Sequence, residues 1–472
     1  MSLTSRADSA FHWLYSLGFF IGLGFCFLYA QNQILTGDQT QMLYKGYLGA
    51  YQGTWLNFGN AASAVGNVPG SLSTWLIGGP LLIWDSPWSP MVLLIAMRVV
   101  SLILLDNVIK NTFEDEYNKL ARLLFLALYW LNPWFLYDSL LYNPSYLCLF
   151  AAMHLWSATK MREHKSFGYT FIHVLSIGLA MQLHYSWPIL AVISVYLFYR
   201  NMGHISWAGA IAAVLALVAS LIPYFQEYAV NESISRESDR YFGYGLVHVY
   251  PVLKALLYWL RYGSMLFSNK VIAFGEFDWL TNIEWIKVTA LGLWKTLIFL
   301  IGGISVVVSA RLNWLCWQRI KPLIRRSNDV ISSVSWIELY AFSAVIGVLI
   351  SAALSPITFS YWHLIMVYPF AIIPILSGIL RFLTNQPQGV NRSEAVETRF
   401  TRFVARYSVT RKIAEVFTDS HKLRLMLVAS FGYLLILNLL ASQDSLKFSY
   451  QSDYVSQVES YLHQEQLLPR GQ

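Results

Sequence analysis

Apolar stretches of membrane-spanning length recur from one end of this chain to the other. The first, FHWLYSLGFFIGLGFCFLYA, begins at Phe11 and has charged flanks only at Arg6 and Asp8. A run of this length bridges a hydrocarbon layer of roughly 30 Å as a helix, and it lacks a small-residue cleavage site, so it reads as a retained anchor. Further stretches predict about eleven spans, at roughly 12–30, 88–109, 120–137, 143–159, 167–182, 184–199, 204–223, 288–310, 333–353, 361–381 and 423–441. A soluble domain is about a quarter charged. This chain is 12% charged and 56% hydrophobic, so the expected class is an all-α polytopic membrane protein.

Charge placement predicts the orientation. The basic segments KMREHK (160–165), RLNWLCWQRIKPLIRR (311–326) and the 381–424 region containing RFTRFVARYSVTRK all fall on one side if the N-terminus is cytoplasmic. About two thirds of the Lys and Arg then lie inside. The net charge of +7 is therefore clustered between apolar spans, which argues against a nucleic-acid partner and for membrane lipids. Cys26, Cys148 and Cys316 show no disulfide or metal-ligand spacing. No fixed-period repeat is visible, so the internal symmetry of many transporters is not expected.

Two sizeable stretches, 31–87 and about 225–287, then lie outside, followed by a short polar tail at the C-terminus. The second contains VYPVLKALLYWLRYGSMLF (249–267), an aromatic amphipathic segment expected to lie on the membrane. The first opens with TGDQTQMLYKGYLGAYQGTW (36–55). Thr36 and Gln39 have capping-box spacing, which predicts a helix from Thr36 with Asp38 in its first turn. Asp38, Gln41, Lys45 and Gln52 then share a narrow polar stripe, beside a cluster of Leu43, Tyr47, Ala50 and Tyr51. The helix dipole would keep Asp38 ionised. Asp38 reads two ways at this point, as a carboxylate that neutralises the helix N-terminus or as a catalytic group.

The following segments add context: NVPGSLSTWLIGGPLLIWDSPWSP (67–90), LYWLNPWFLYDSLLYNPSYLCLF (128–150), GLAMQLHYSWPIL (178–190) and SPITFSYWHLIMVYPFAIIPILSG (355–378). In this order, over roughly residues 12–380, the chain resembles the polyprenyl-phosphate-sugar-dependent glycosyltransferases of the GT-C class. The likeness is greatest to bacterial members related to protein O-mannosyltransferases and lipid A aminoarabinose transferases. The resemblance implies a GT-C-like fold with interfacial helices in the first external loop. It divides the chain into a catalytic module over 1–382 with external loops 31–87 and 225–287, a basic cytoplasmic loop over 383–422, and a last span with a short external tail over 423–472.

Position by position, Asp38 matches the family's catalytic Asp and Pro69 its first-loop proline. Pro133 matches the proline ending the third span, and Tyr361, His363, Tyr368 and Pro369 the late tyrosine- and proline-containing span. Gln39 stands where a second acid is common, and Asn143 near the second external acid of several members, with Asp138 five residues away. The implied reaction is inverting transfer from a polyprenyl-phosphate sugar to a hydroxyl or amine of a lipid, glycan or protein. Its site would face outward from a bacterial inner membrane. The acceptor must lose a proton, which calls for a positioned carboxylate. The leaving phosphate needs cationic or hydrogen-bond donors.

Lys45, Arg236, Arg240, Arg261, Lys270 and Lys287 are the outer-side cations, each of which also reads as an exposed or lipid-headgroup charge. His184 and His363 lie at outer span ends, where polar groups are costly unless paired or facing a cavity. Asp138 and Asn143 read equally as capping groups of a turn, and Arg98 and Lys295 as snorkelling or paired charges within spans. No cofactor is evident, and a divalent metal stays open because few carboxylates converge. Asn-Glu-Ser at 231 and Asn-Arg-Ser at 391 match the glycosylation acceptor pattern weakly. The rival functions are a transporter or flippase of a lipid-linked saccharide, a non-catalytic scaffold, and a surface-polysaccharide polymerase or ligase.

Overall fold

The structure is a computed structural model, and it describes residues 3–33, 35, 37–62, 66–137, 141–230, 249–267, 281–324, 331–355, 359–384, 420–441 and 454–467. Asp138, Arg236, Arg240, Lys270, Thr36 and both glycosylation-pattern asparagines lie outside the described residues.

The chain begins with α1 (Leu3–Gln31) and α2 (Gly37–Gln52), followed by the strands β1 (Phe58–Ala62) and β2 (Gly66–Pro69). Next come α3 (Leu72–Ile83), α4 (Trp88–Thr112), α5 (Asp115–Phe125), a π-turn over Leu126–Trp130 and α6 (Pro133–Tyr137). After a 3-10 turn at Asn143–Tyr146 follow α7 (Leu147–Glu163), α8 (Phe167–Met181), α9 (Pro188–Tyr199) and α10 (Trp207–Val230). The remaining helices are α11 (Val249–Tyr262), α12 (Glu284–Ile320), α13 (Ser333–Leu354), α14 (Tyr361–Leu364), α15 (Tyr368–Thr384), α16 (Ser420–Ala441) and α17 (Tyr454–Gln464).

Among the described residues six helical stretches are long and apolar enough to cross a membrane: Ser9–Gln31, Trp88–Thr112, Trp207–Val230, Glu284–Leu323, Ser333–Leu354 and Tyr361–Leu383. Shorter apolar helices at Phe167–Met181, Pro188–Tyr199 and Arg424–Leu439 accompany them. The protein is thus a polytopic α-helical membrane protein, and each stretch expected to span carries helix. The two strands form one antiparallel hairpin. All three cysteines are buried and outside any disulfide.

Hydrogen bonds sort the connections into two ends. At one end Arg162 Nη1 donates to Ser333 Oγ at 3.2 Å, His204 N to Met161 O at 2.7 Å, and Trp336 Nε1 to Met202 O at 3.0 Å. Near that end Arg122 pairs with Asp106 at 2.6 Å. Glu338, fully buried, takes Arg319 at 2.5 Å and the Ser377 hydroxyl at 2.7 Å, with Arg381 at 4.0 Å. The opposite end gathers the hairpin, α2, α3, the 182–187 turn, α14 and α17.

Two local features position that second end. In the third span the π-turn turns carbonyls out of the helix, and Tyr368 Oη donates to Leu128 O at 2.6 Å and Tyr129 O at 3.1 Å. Between α2 and α3, a Cβ on Gly46 would lie 2.4 Å from Ile77 Cβ, so the glycine lets the two interfacial helices touch backbone to backbone. The outer face of α3 leaves Trp75, Leu82 and Ile83 exposed, as suits a helix at a membrane interface.

The 249–267 segment packs one face on the bundle. Ala255, Trp259 and Tyr262 of α11 are buried, Trp259 Nε1 donates to Asn313 of α12 at 3.0 Å, and Met265 N to Ser305 Oγ at 2.8 Å. The amphipathic pattern is real, but its aromatic face packs into the bundle, and Val249, Leu253 and Leu257 are the exposed side.

Removing Glu338 strands two guanidinium groups among apolar helices. Glu338→Leu is expected to cost about 3–5 kcal/mol, read as a lower unfolding temperature in detergent. The double variant Arg319→Met/Glu338→Leu is expected to recover part of that loss; equal losses in both would contradict the coupling.

Candidate functional site

Asp38 sits in the first turn of α2, as its sequence context implies. Its carboxylate is exposed and, among the described residues, accepts no hydrogen bond and forms no ion pair. A capping carboxylate would accept a backbone N–H of its own first turn; Asp38 does not. Its backbone, by contrast, is held: Asn60 Nδ2 donates to Asp38 O at 2.9 Å. Partial desolvation raises the carboxyl above its ordinary value of 3.8. The shift makes Asp38 a stronger base.

The polar stripe of α2 has a use that its spacing did not reveal. It receives β1: Ala61 N donates to Gln41 Oε1 at 2.9 Å, and Lys45 Nζ donates to Gly59 O. Lys45 is 6% exposed, its ammonium 4.8 Å from the centre of the Phe58 ring. It is therefore neither an exposed nor a headgroup cation. Burial lowers its pKa from 10.5 to about 8, with Glu227 of α10 pulling the other way.

Through the hairpin, α2 is tied to the turn between α8 and α9. Tyr185 Oη donates to Asn67 O at 3.0 Å. Gly70, at φ +88°, ends the hairpin where a Cβ would lie 2.5 Å from Gln182 Oε1, so no other residue fits without displacement. Asn143 Nδ2 donates to Leu183 O at 2.8 Å, which assigns Asn143 to bracing this turn.

The turn presents His184 to His363, their ring centroids 5.5 Å apart. Ser186 N donates to His184 Nδ1 at 3.2 Å, and Ser360 N donates to His363 Nδ1 at 2.8 Å. With each Nδ1 an acceptor, each neutral ring carries its proton on Nε2. Burial and the neighbouring His363 lower His184 to about 3, so it is neutral at physiological pH. Neither Nε2 has a partner among the described residues. The pair offers two neutral N–H donors at this end of the bundle.

Lys254 of α11 was not anticipated, although its charge acts on His363. Lys254, Tyr258 and Arg261 share one helical face at i, i+4 and i+7, with Lys254 6.0 Å and Arg261 5.3 Å from the Tyr258 ring centre. That spacing was the available signal. Arg261 itself donates to the carbonyls of Leu266, at 3.0 Å, and Phe267, so it closes its own turn. Lys287 is 3.9 Å from Glu284 at the start of α12. Tyr361 accepts at its carbonyl from Tyr262 Oη, and its ring lies 5.3 Å from Trp134. Among the described residues no group of three His, Cys, Asp or Glu could hold a metal ion.

No family model matches the chain, and no curated protein matches it. Among solved structures it is similar to the crystal structure of ArnT from Cupriavidus metallidurans in the apo state, at 11% identity and a TM-score of 0.47. The match covers 99% of this chain and 78% of that one.

Lys45 gives a signed pH test. Its pKa is lower folded than unfolded, so between about 8 and 10.5 the unfolded chain binds more protons and stability rises with pH. Lys45→Met is expected to raise the unfolding temperature in detergent at pH 7, and this advantage to shrink from pH 8 to 10. A pH-independent difference would contradict the burial of the ammonium.

Proposed function

We propose that the chain is an inverting glycosyltransferase that moves a sugar from a polyprenyl-phosphate donor to an acceptor hydroxyl or amine, with Asp38 as general base. The observation that carries this reading is an exposed carboxylate with a raised pKa and no partner among the described residues, on a backbone fixed by the hairpin. The order of sequence elements that resembles the GT-C glycosyltransferases supports the same assignment. In this scheme Asp38 takes the acceptor's proton as its oxygen or nitrogen bonds to the anomeric carbon. The bond from that carbon to the phosphate oxygen breaks with inversion, and polyprenyl phosphate leaves.

A phosphate leaving group needs donors more than a proton. The Nε2–H groups of His184 and His363 and the Lys254 ammonium are the groups we assign to that task. Asn143 and Gly70 hold the turn that carries His184. The basic groups at the other end of the bundle, among them Arg122, Arg162, Arg319 and Arg381, favour a cytoplasmic position there and an external one for the Asp38 end. A donor with its tail in lipid would then reach the site sideways, while the acceptor arrives from outside.

Asp38→Asn is expected to leave expression and unfolding temperature near those of the wild type and to abolish transfer in membranes supplied with a polyprenyl-phosphate sugar. The acid limb of the wild-type pH–rate profile is expected above the ordinary Asp value of 3.8. Full activity of Asp38→Asn would remove this residue from the mechanism.

A further inference from the structure

We infer that the C-terminal helix α17 positions Asp38, and that it acts through Gln457. This rests on the reading of Asp38 as the base. Gln33 and Leu35 lie between the end of α1 and the start of α2, just ahead of Asp38. The single carboxamide of Gln457 grips both of them: its Nε2–H donates to Gln33 O at 3.2 Å, and its Oε1 accepts from Leu35 N–H at 3.3 Å. Only a primary amide brings a donor and an acceptor side by side in one plane, so Gln457 pairs with backbone as a neighbouring strand would.

The grip continues past the carboxylate. One turn further along α17, Tyr461 Oη donates to Thr40 O at 3.2 Å, two residues beyond Asp38. Asp38 is therefore bracketed by α17 on both chain sides, and Asn60 holds its own carbonyl. The helix is itself anchored. Tyr454, Val458 and Leu462 recur at i, i+4 and i+8, are all buried, and the Tyr454 ring meets Trp88 edge-on at 5.8 Å. An anchored helix with two hydrogen-bonding side chains facing one short link has the form of a positioning device, because small displacements of a base cost far more rate than stability.

The test compares Gln457→Leu with Glu459→Ala, a change on the exposed side of the same helix. Expected for Gln457→Leu are backbone amide exchange over residues 35–40 about tenfold faster and a kcat about tenfold lower. The KM for the lipid donor and the unfolding temperature should stay near wild type, and Glu459→Ala should match wild type throughout. Exchange that stays at the wild-type rate in Gln457→Leu overturns the clamp whatever chemistry the protein performs. Faster exchange with kcat unchanged overturns the positioning role. A wild-type chain without transfer activity, with Asp38→Asn no different, overturns the reading of Asp38 instead and leaves the exchange arm to decide the clamp.

Discussion

The contact on which the site depends is the seating of β1 on the polar stripe of α2. Two side chains of one helix face meet the backbone of one strand, Gln41 taking Ala61 N–H and Lys45 reaching Gly59 O, and the strand's Asn60 side chain donates back to Asp38 O. A two-stranded hairpin is marginal by itself in water, so this one exists because α2 supplies partners that a third strand would otherwise supply. In return the hairpin carries the geometry of α2 across to the His184 turn through Tyr185 and Gly70. The backbone of Asp38 and the turn that carries His184 are thereby joined through the hairpin, with His363 in ring contact with His184, although residues 38, 184 and 363 are far apart in sequence.

Lys45 shows what this arrangement costs. Burying an ammonium against one carbonyl and one aromatic face, with a carboxylate acting only from α10, leaves it poorly compensated and lowers its pKa. At the opposite end the charges are better served. Glu338 is surrounded by two guanidinium groups and a hydroxyl, and Arg122 grips Asp106 with two nitrogens. The bundle is thus pinned by paired charges at one end and kept open to polar chemistry at the other.

Much of this was legible in the sequence because bilayer thickness imposes its own ruler. Apolar length and basic flanks located the helices, and the Thr36–Gln39 spacing located α2 to within a residue, with Asp38 in its first turn. What stayed hidden depended on partners distant in sequence. The stripe of α2 gave no sign that it would seat a strand, since spacing reports a face and not its occupant. Lys254 was obscured because an aromatic amphipathic segment looks the same whether its apolar side meets lipid or other helices. The tail read as merely polar, yet its apolar residues recur every fourth position and α17 buries them beside α2. Asn143 fits either role by residue type alone; only the carbonyl of Leu183 distinguishes them.

The proposed mechanism requires Asp38 to meet water at the external face of the membrane. Single-residue labelling measures this directly: in the Asp38→Cys variant a membrane-impermeant maleimide should react in intact cells, while the buried Cys26, Cys148 and Cys316 of the parent chain give no background. Modification from outside is the predicted result, and modification only after the cytoplasmic face is exposed would contradict the account.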